Sequence, residues 1–174
     1  MAIILGIDPG SRITGYGLIN SVGNKLEYVD CGCIRTDKQQ PMPERLHSIF
    51  TGLNEIIELH APQQAAIEEV FMGRNPSSAI KLGQARGSAM VACLAHALSL
   101  EEYSARQVKQ AVVGAGGADK TQVQHMVKAI LGISDTLAED AADALAVAIC
   151  HANTRASLIK MAGAKSFSRR RLRR

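Results

Sequence analysis

Tryptophan is absent from this 174-residue chain, and phenylalanine and tyrosine occur only three times each, so an aromatic side chain beside a charged cluster stands out. No apolar run reaches the ~20 residues that a membrane-spanning helix needs. The N-terminus lacks the basic region that opens a secretory signal. No membrane partner is therefore expected, and a cytoplasmic location is. C-x-x-C pairs are missing too: Cys31, Cys33, Cys93 and Cys150 lie in apolar surroundings, with no His/Cys cluster to complete a zinc site. Buried free thiols in a reducing compartment are the expectation. There is no internal repeat and no interior linker, and this length suffices for one domain with its own core.

Charge is present but unevenly placed. The end of the chain, KSFSRRRLRR (165–174), carries Lys165 and five arginines without an acid, so an overall charge of +4 leaves residues 1–164 at −2. A basic tail on a near-neutral body suits a polyanion, nucleic acid first, or serves only as a solubilising appendage. The expected division is a folded domain over 1–157 and a basic, flexible tail over 158–174.

Patterning predicts strands at about 2–8, 15–20 and 25–35, the latter two joined by a Gly-Asn turn as an antiparallel meander. Leu46, Ile49, Phe50, Leu53, Ile56 and Ile57 recur at helical spacing. A buried strand is expected over 63–71, and a helix with a serine cap and many small residues over 77–98. SLEEYSA reads as a short fifth strand and RQVKQAVV as a short helix. A further helix is opened by an Asp119/Gln122 capping box, and AEDAADALAVAICHANTRAS forms the last. The order βββ-α-β-α-β-α-α-α implies an α/β fold. Its mixed five-stranded sheet is antiparallel at the start and parallel afterwards, with helices on its faces.

The chemistry-bearing residues are acids. Asp8 ends the first apolar strand, directly before Pro9 and Gly10. Glu68 or Glu69 falls in the fourth strand, and Asp140 and Asp143 share one face of the last helix. Singly, each has an ordinary explanation in turn chemistry, a local ion pair or the helix dipole. Together, any close ionised pair would repel by about 4 kcal/mol at 4 Å in an effective dielectric near 20. A shared cation resolves that, and carboxylate ligands without histidine or thiolate point to Mg²⁺, with Mn²⁺ able to substitute. Such a centre on a polyanion-binding chain suggests phosphodiester hydrolysis. One ion would activate water and another would stabilise the leaving oxygen. GAGGADKT (114–121) approaches the P-loop spacing, but Asp119 stands where its second glycine belongs. Lys120 instead opens a helix against the dipole, an unfavourable placement that anticipates an anion.

The strings GIDPGSRITGYG, AIEEVFMGRNPSSAIKLGQARG, ARQVKQAVVGAGGADKTQVQHMV and DAADALAVAI, in this order through about residues 1–152, resemble the RuvC family of crossover junction endodeoxyribonucleases. The resemblance implies a ribonuclease-H-like fold and a homodimer that resolves four-way DNA junctions by paired nicks. It also implies two divalent ions per subunit and coupling to the RuvA and RuvB branch-migration proteins. It places the catalytic, metal-binding acids at Asp8, Glu68, Asp140 and Asp143, and so selects Glu68 over Glu69. It gives Phe71 a role at the crossover and assigns Lys109 and Lys120 to DNA binding or catalysis. Arg74, Lys81 and Arg86 are weaker candidates for backbone contact. The rivals are a non-catalytic branched-DNA-binding module and an actin-like ATPase fragment, whose first phosphate loop also follows a strand as GID-x-G.

Overall fold

The computed structural model describes residues 1–70 and 75–171, the stretch 162–171 as backbone only. Strands β1 (Ala2–Asp8), β2 (Ile13–Val22), β3 (Lys25–Arg35), β4 (Gln64–Glu68) and β5 (Ser99–Tyr103) form one sheet in the order β3-β2-β1-β4-β5. β1 pairs antiparallel with β2, and β2 with β3. β1–β4 and β4–β5 are parallel. Helices α1 (Met42–His60) and α2 (Pro76–Ala95) cover one face, while α3 (Ala105–Val113), α4 (Lys120–Leu131) and α5 (Glu139–Arg171) cover the other. This is the mixed, helix-flanked sheet that the sequence implied.

Central β1 is apolar almost throughout because both its faces are covered. Ile4 packs on the α5 side, whereas Leu5 and Ile7 pack on the α1 side with Ile49, Leu53 and Ile57. Alternation then puts Asp8 on the same face as Ile4. Glycine lets α5 lie almost on the sheet: a Cβ at Gly6 would come within 2.1 Å of the Ala144 carbonyl oxygen, and one at Gly15 within 2.0 Å of the Asp140 carbonyl oxygen. The start of α5, with its two aspartates, is thereby pressed against the end of β1 and β2.

Some elements differ from expectation. β4 ends at Glu68 rather than 71, after which the chain makes one more cross-strand bond, Glu69 N–H to the Tyr103 carbonyl at 2.8 Å. α2 is capped by Asn75 and not by a serine, because Pro76 takes the first helical position and Asn75 accepts from the Ser77 and Ser78 amides. It stops at Ala95, and Ala97 turns left-handed ahead of β5. Only Cys93 and Cys150 are buried; Cys31 and Cys33 are half-exposed because β3 is an edge strand. The boundary expected at 157/158 falls inside the continuous helix α5.

Candidate active site

Across the end of the sheet, Cys33, Gly15 and Asp8 form one cross-strand row, and Glu68 pairs with Tyr103 on the other flank. Asp8 and Glu68 sit at the C-terminal ends of the two central parallel strands, facing α5. Open sheets of this kind place their sites at that edge. α5 brings Asp140 and Asp143 in its first turns, where the helix dipole favours acids.

These four acids are in electrostatic contact. Burial pushes the Asp8 carboxyl up to about 8, reinforced by the charges of Glu68, Asp143 and Asp140, while Lys120 opposes the rise. Glu68 is raised by burial and by Asp143, and eased by Lys120 and Lys109. Asp143 is raised by burial against the pull of its hydrogen bond from Lys120. Four carboxylates in a half-buried cluster leave a deficit of positive charge that one lysine does not fill.

Lys120, the first residue of α4, supplies that cation. Its Nζ lies 2.9 Å from Asp143 Oδ2 and also pairs with Glu139. Burial alone would lower its pKa, but its hydrogen bonds to Glu139 and Asp143 raise it. The anion anticipated at this helix start is thus the acidic cluster. α4 can begin there because Asp119 and Gln122 close a capping box around its first turn. Lys109, from α3, lines the same cleft with Glu68, Lys120 and Asp143 over a floor of Val108 and Ala146.

The donor set is oxygen-only in chemistry, which suits a hard divalent cation. Among the described residues, however, no three histidine, cysteine, aspartate or glutamate side chains are close enough to enclose an ion as they stand. Lys120 instead pairs with both Asp143 and Glu139. The residues therefore fit a divalent ion by charge and donor type.

Other candidates are placed less centrally. Arg86 is a brace: its Nε–H donates to the Glu68 carbonyl at 3.1 Å and its Nη2 pairs with Glu102. That contact fixes the backbone of Glu68 from the opposite face. Lys81 is exposed on α2. Phe71 and Arg74 lie outside the described residues. Sequence reasoning missed Glu139, whose only signal was its place beside Asp140, and Cys33, whose thiol is pushed up by burial and by nearby Asp140.

Comparison with known proteins agrees with this geometry. Residues 4–151 match the family profile described as crossover junction endodeoxyribonuclease RuvC. The chain is 62% identical over 162 residues to the protein of that description from Marinobacter nauticus, covering 93% of this chain and 92% of the relative. It is 56% identical to that of Saccharophagus degradans, covering 99% of each. In three dimensions it superposes on Thermus thermophilus RuvC in complex with a Holliday junction substrate with a TM-score of 0.85 and 33% identity, over 90% of this chain and 96% of the other. The yeast mitochondrial Holliday junction resolvase shares the fold, with a TM-score of 0.67 at 14% identity. A family profile matched along most of the chain and relatives aligned nearly end to end lead to one conclusion: the chain belongs to the crossover junction endodeoxyribonuclease RuvC family.

Proposed function

We propose that the protein is a structure-selective endonuclease that resolves four-way DNA junctions by paired, symmetric nicks, acting in recombination and repair. The observation that carries this reading is the gathering of Asp8, Glu68, Asp140 and Asp143 at one sheet end, with burial and mutual repulsion lifting Asp8 to about 8, in a chain of this family. Asp8, Glu68, Asp140 and Asp143 would hold the divalent metal, Mg²⁺ with Mn²⁺ as a substitute and two ions per subunit. When bound, the metal supplies activation of the attacking water and stabilisation of the leaving oxygen. The chain's own contribution is placement and charge. Lys109 and Lys120 attract the scissile phosphate and hold it over the acids, and they offset the charge that develops in the transition state. In-line hydrolysis of this kind leaves a 5′-phosphate and a 3′-hydroxyl, ends that a ligase can rejoin. Phe71, directly beyond the site strand, is assigned to an unpaired base at the crossover, and Arg74 and Lys81 to the DNA backbone.

A homodimer matches the approximate two-fold symmetry of a four-way junction, and α2 offers the surface for it. Ile80, Gly83, Gly87, Val91 and Leu94 share one stripe, opposite the buried Ala85, Ala89 and Ala92. Ile80, Val91 and Leu94 are 64%, 57% and 60% exposed, and Cβ atoms added at Gly83 and Gly87 would meet nothing. Two copies of such a helix can approach closely through their glycines. A cytoplasmic location and coupling to the RuvA and RuvB branch-migration proteins belong to the same proposal and rest on family membership.

The test is nicking of a synthetic four-way junction beside a linear duplex, with Mg²⁺ and with chelator, for wild type and Asp8→Asn. Paired, metal-dependent cuts confined to the junction and lost in the variant support the reading. Junction binding without cutting under any divalent ion would overturn it in favour of a binding module.

A further inference from the structure

The two cations that line the acidic cleft, Lys109 and Lys120, lie on one flank of the acids, on α3 and α4. The opposite flank, toward β3, carries a second set that has no acidic partner. Arg45, in the first turns of α1, is only 8% exposed and has no carboxylate within ion-pair distance among the described residues. Its Nε–H donates to Thr36 Oγ1 at 3.1 Å and its Nη2 to the Ser11 carbonyl. A buried guanidinium satisfied only by neutral acceptors is costly to keep. One of its hydrogen bonds goes to the loop that follows Asp8 and the other to Thr36, just past β3.

That loop, 9–12, is built inward. Thr36 N–H donates to the Arg12 carbonyl at 3.0 Å, and Thr36 Oγ1 to the Ser11 carbonyl at 2.9 Å. Buried Thr14 ties off the Gly10 end, donating to the Gly10 carbonyl at 2.9 Å. With its carbonyls turned into the clamp, the loop presents the Arg12 side chain outward, exposed. Arg35 is exposed as well and stands opposite Ile13 in the β2–β3 ladder. Two residues from Cys33, it falls on the same sheet face as Asp8, and its charge reaches the Cys33 thiol together with that of Asp140. Neither Arg12 nor Arg35 forms an ion pair among the described residues. The acids nearby in sequence are Asp8 itself, Asp30, whose carboxylate bonds His60 and Tyr16, Asp37, one oxygen of which accepts from the Gln39 amide, and exposed Glu44.

We propose that Arg12, on the loop clamped from beneath by Arg45 and Thr36, and Arg35, at the end of β3, form a second phosphate-binding strip for the DNA backbone on the β3 flank of Asp8. The proposal rests on the DNA-cleaving reading above and extends it to these residues. Two strand spacings separate β1 from β3, about 10 Å. At about 3.4 Å of axial rise per nucleotide, that distance corresponds to roughly three nucleotides. The strip therefore engages phosphates beside the scissile one and leaves the scissile phosphate to Lys109 and Lys120. Cations on both flanks let a polyanion lie across four carboxylates that would otherwise repel it.

The experiment is the salt dependence of four-way junction binding by the full chain in chelator. Wild type, Arg12→Gln, Arg35→Gln, the double Gln variant and the double Lys variant are compared. Each lost phosphate contact should lower the slope of log K against log salt by about 0.9. The double Gln variant should lose close to twice that, and the double Lys variant should keep the wild-type slope. Unchanged melting temperatures establish that the exposed substitutions leave the fold intact. An unchanged slope in the double Gln variant, with wild type binding normally, overturns the strip alone. Failure of wild type to bind the junction overturns the strip together with the reading it rests on.

Discussion

The Nζ of Lys120 lies 2.9 Å from Asp143 Oδ2, so the only ammonium paired within the acidic cluster among the described residues engages a carboxylate that would also hold a divalent ion. Lys120 serves as a resident counter-ion. Lys120→Met should therefore bind Mn²⁺ more tightly than wild type, because a competing cation is gone. Junction cleavage should fall by about 10²–10³ from loss of an electrostatic partner of the phosphate. Calorimetric titration with Mn²⁺ checks the first outcome and single-turnover cleavage the second. Weaker metal binding would mean that Lys120 organises the acids and does not compete for them.

Asp8→Asn removes a carboxyl whose ionisation is opposed by burial and by three neighbouring acids. In chelator at pH 7 the variant should melt several degrees above wild type, because Asp8 is ionised in the unfolded chain but must take up a proton on folding, where burial and the charges of Glu68, Asp143 and Asp140 lift it to about 8. Cleavage should fall by at least about 10². A lower melting temperature would show that the carboxylate holds the loop at 9–12 in place, a role the structure does not assign to it.

His151 provides an acid-side test of stability. The ring is 2% exposed; Nδ1 accepts from the Tyr103 hydroxyl at 3.0 Å and Nε2–H donates to Gln64 Oε1 at 2.9 Å, which fixes the neutral tautomer. Burial, aided by Arg155 on the same helix, pushes its pKa down to about 4 from 6.5. The unfolded chain therefore binds the proton first, and stability falls as pH drops from about 6.5 to about 4, by up to roughly 3 kcal/mol. Urea unfolding of wild type and His151→Gln at pH 7, 5.5 and 4.5 measures this. The gap between the two proteins should shift in favour of the variant at the lower pH, and a constant gap would refute the assignment.

Val91→Asp, alone or with Leu94→Asp, places charge on the exposed stripe of α2 without touching its buried alanines. Light scattering should show a dimer for wild type and a monomer for the variant, and junction cleavage should shift from paired cuts to single nicks. A variant that remains dimeric would move the interface to another surface.

Arg45→Met removes the donor to the Thr36 hydroxyl and one of two donors to the Ser11 carbonyl, which keeps its bond from Thr36 Oγ1, at about 1 kcal/mol for the part-buried bonds lost. Junction affinity and cleavage should both fall as the loop that carries Arg12 beside Asp8 loosens. Restoration of cleavage by Arg45→Lys would identify charge and not fork geometry as the requirement.

The sheet and most of the site were legible in the sequence because strong local signals coincided with burial. The first strand runs apolar up to Asp8 and stops at Pro9-Gly10, and the Asp119/Gln122 box marks a helix start. The choice between Glu68 and Glu69 was not local. It depends on which face of β4 looks toward α5, a matter of register with β1 and β5 that period-two alternation in so short a strand does not show. Nothing in the sequence singles out Arg45; only the fold reveals that it bonds Thr36 and Ser11. The half-exposure of Cys31 and Cys33 follows from the edge position of β3, which strand pattern alone does not give.

Gly6 and Gly15 contribute no functional group, yet a Cβ at either would meet α5 backbone at about 2 Å. A methyl at Gly15 would have to be accommodated by lifting the first turn of α5 off the sheet, carrying Asp140 and Asp143 away from Asp8 and Glu68. Loss of activity can thus arise by a purely steric route, with every acid and lysine still present. A survey of natural variants that inspects only the charged positions would score such a protein as intact. For this chain, the space between the β1–β2 hairpin and α5 is as much a determinant of function as the groups that border it.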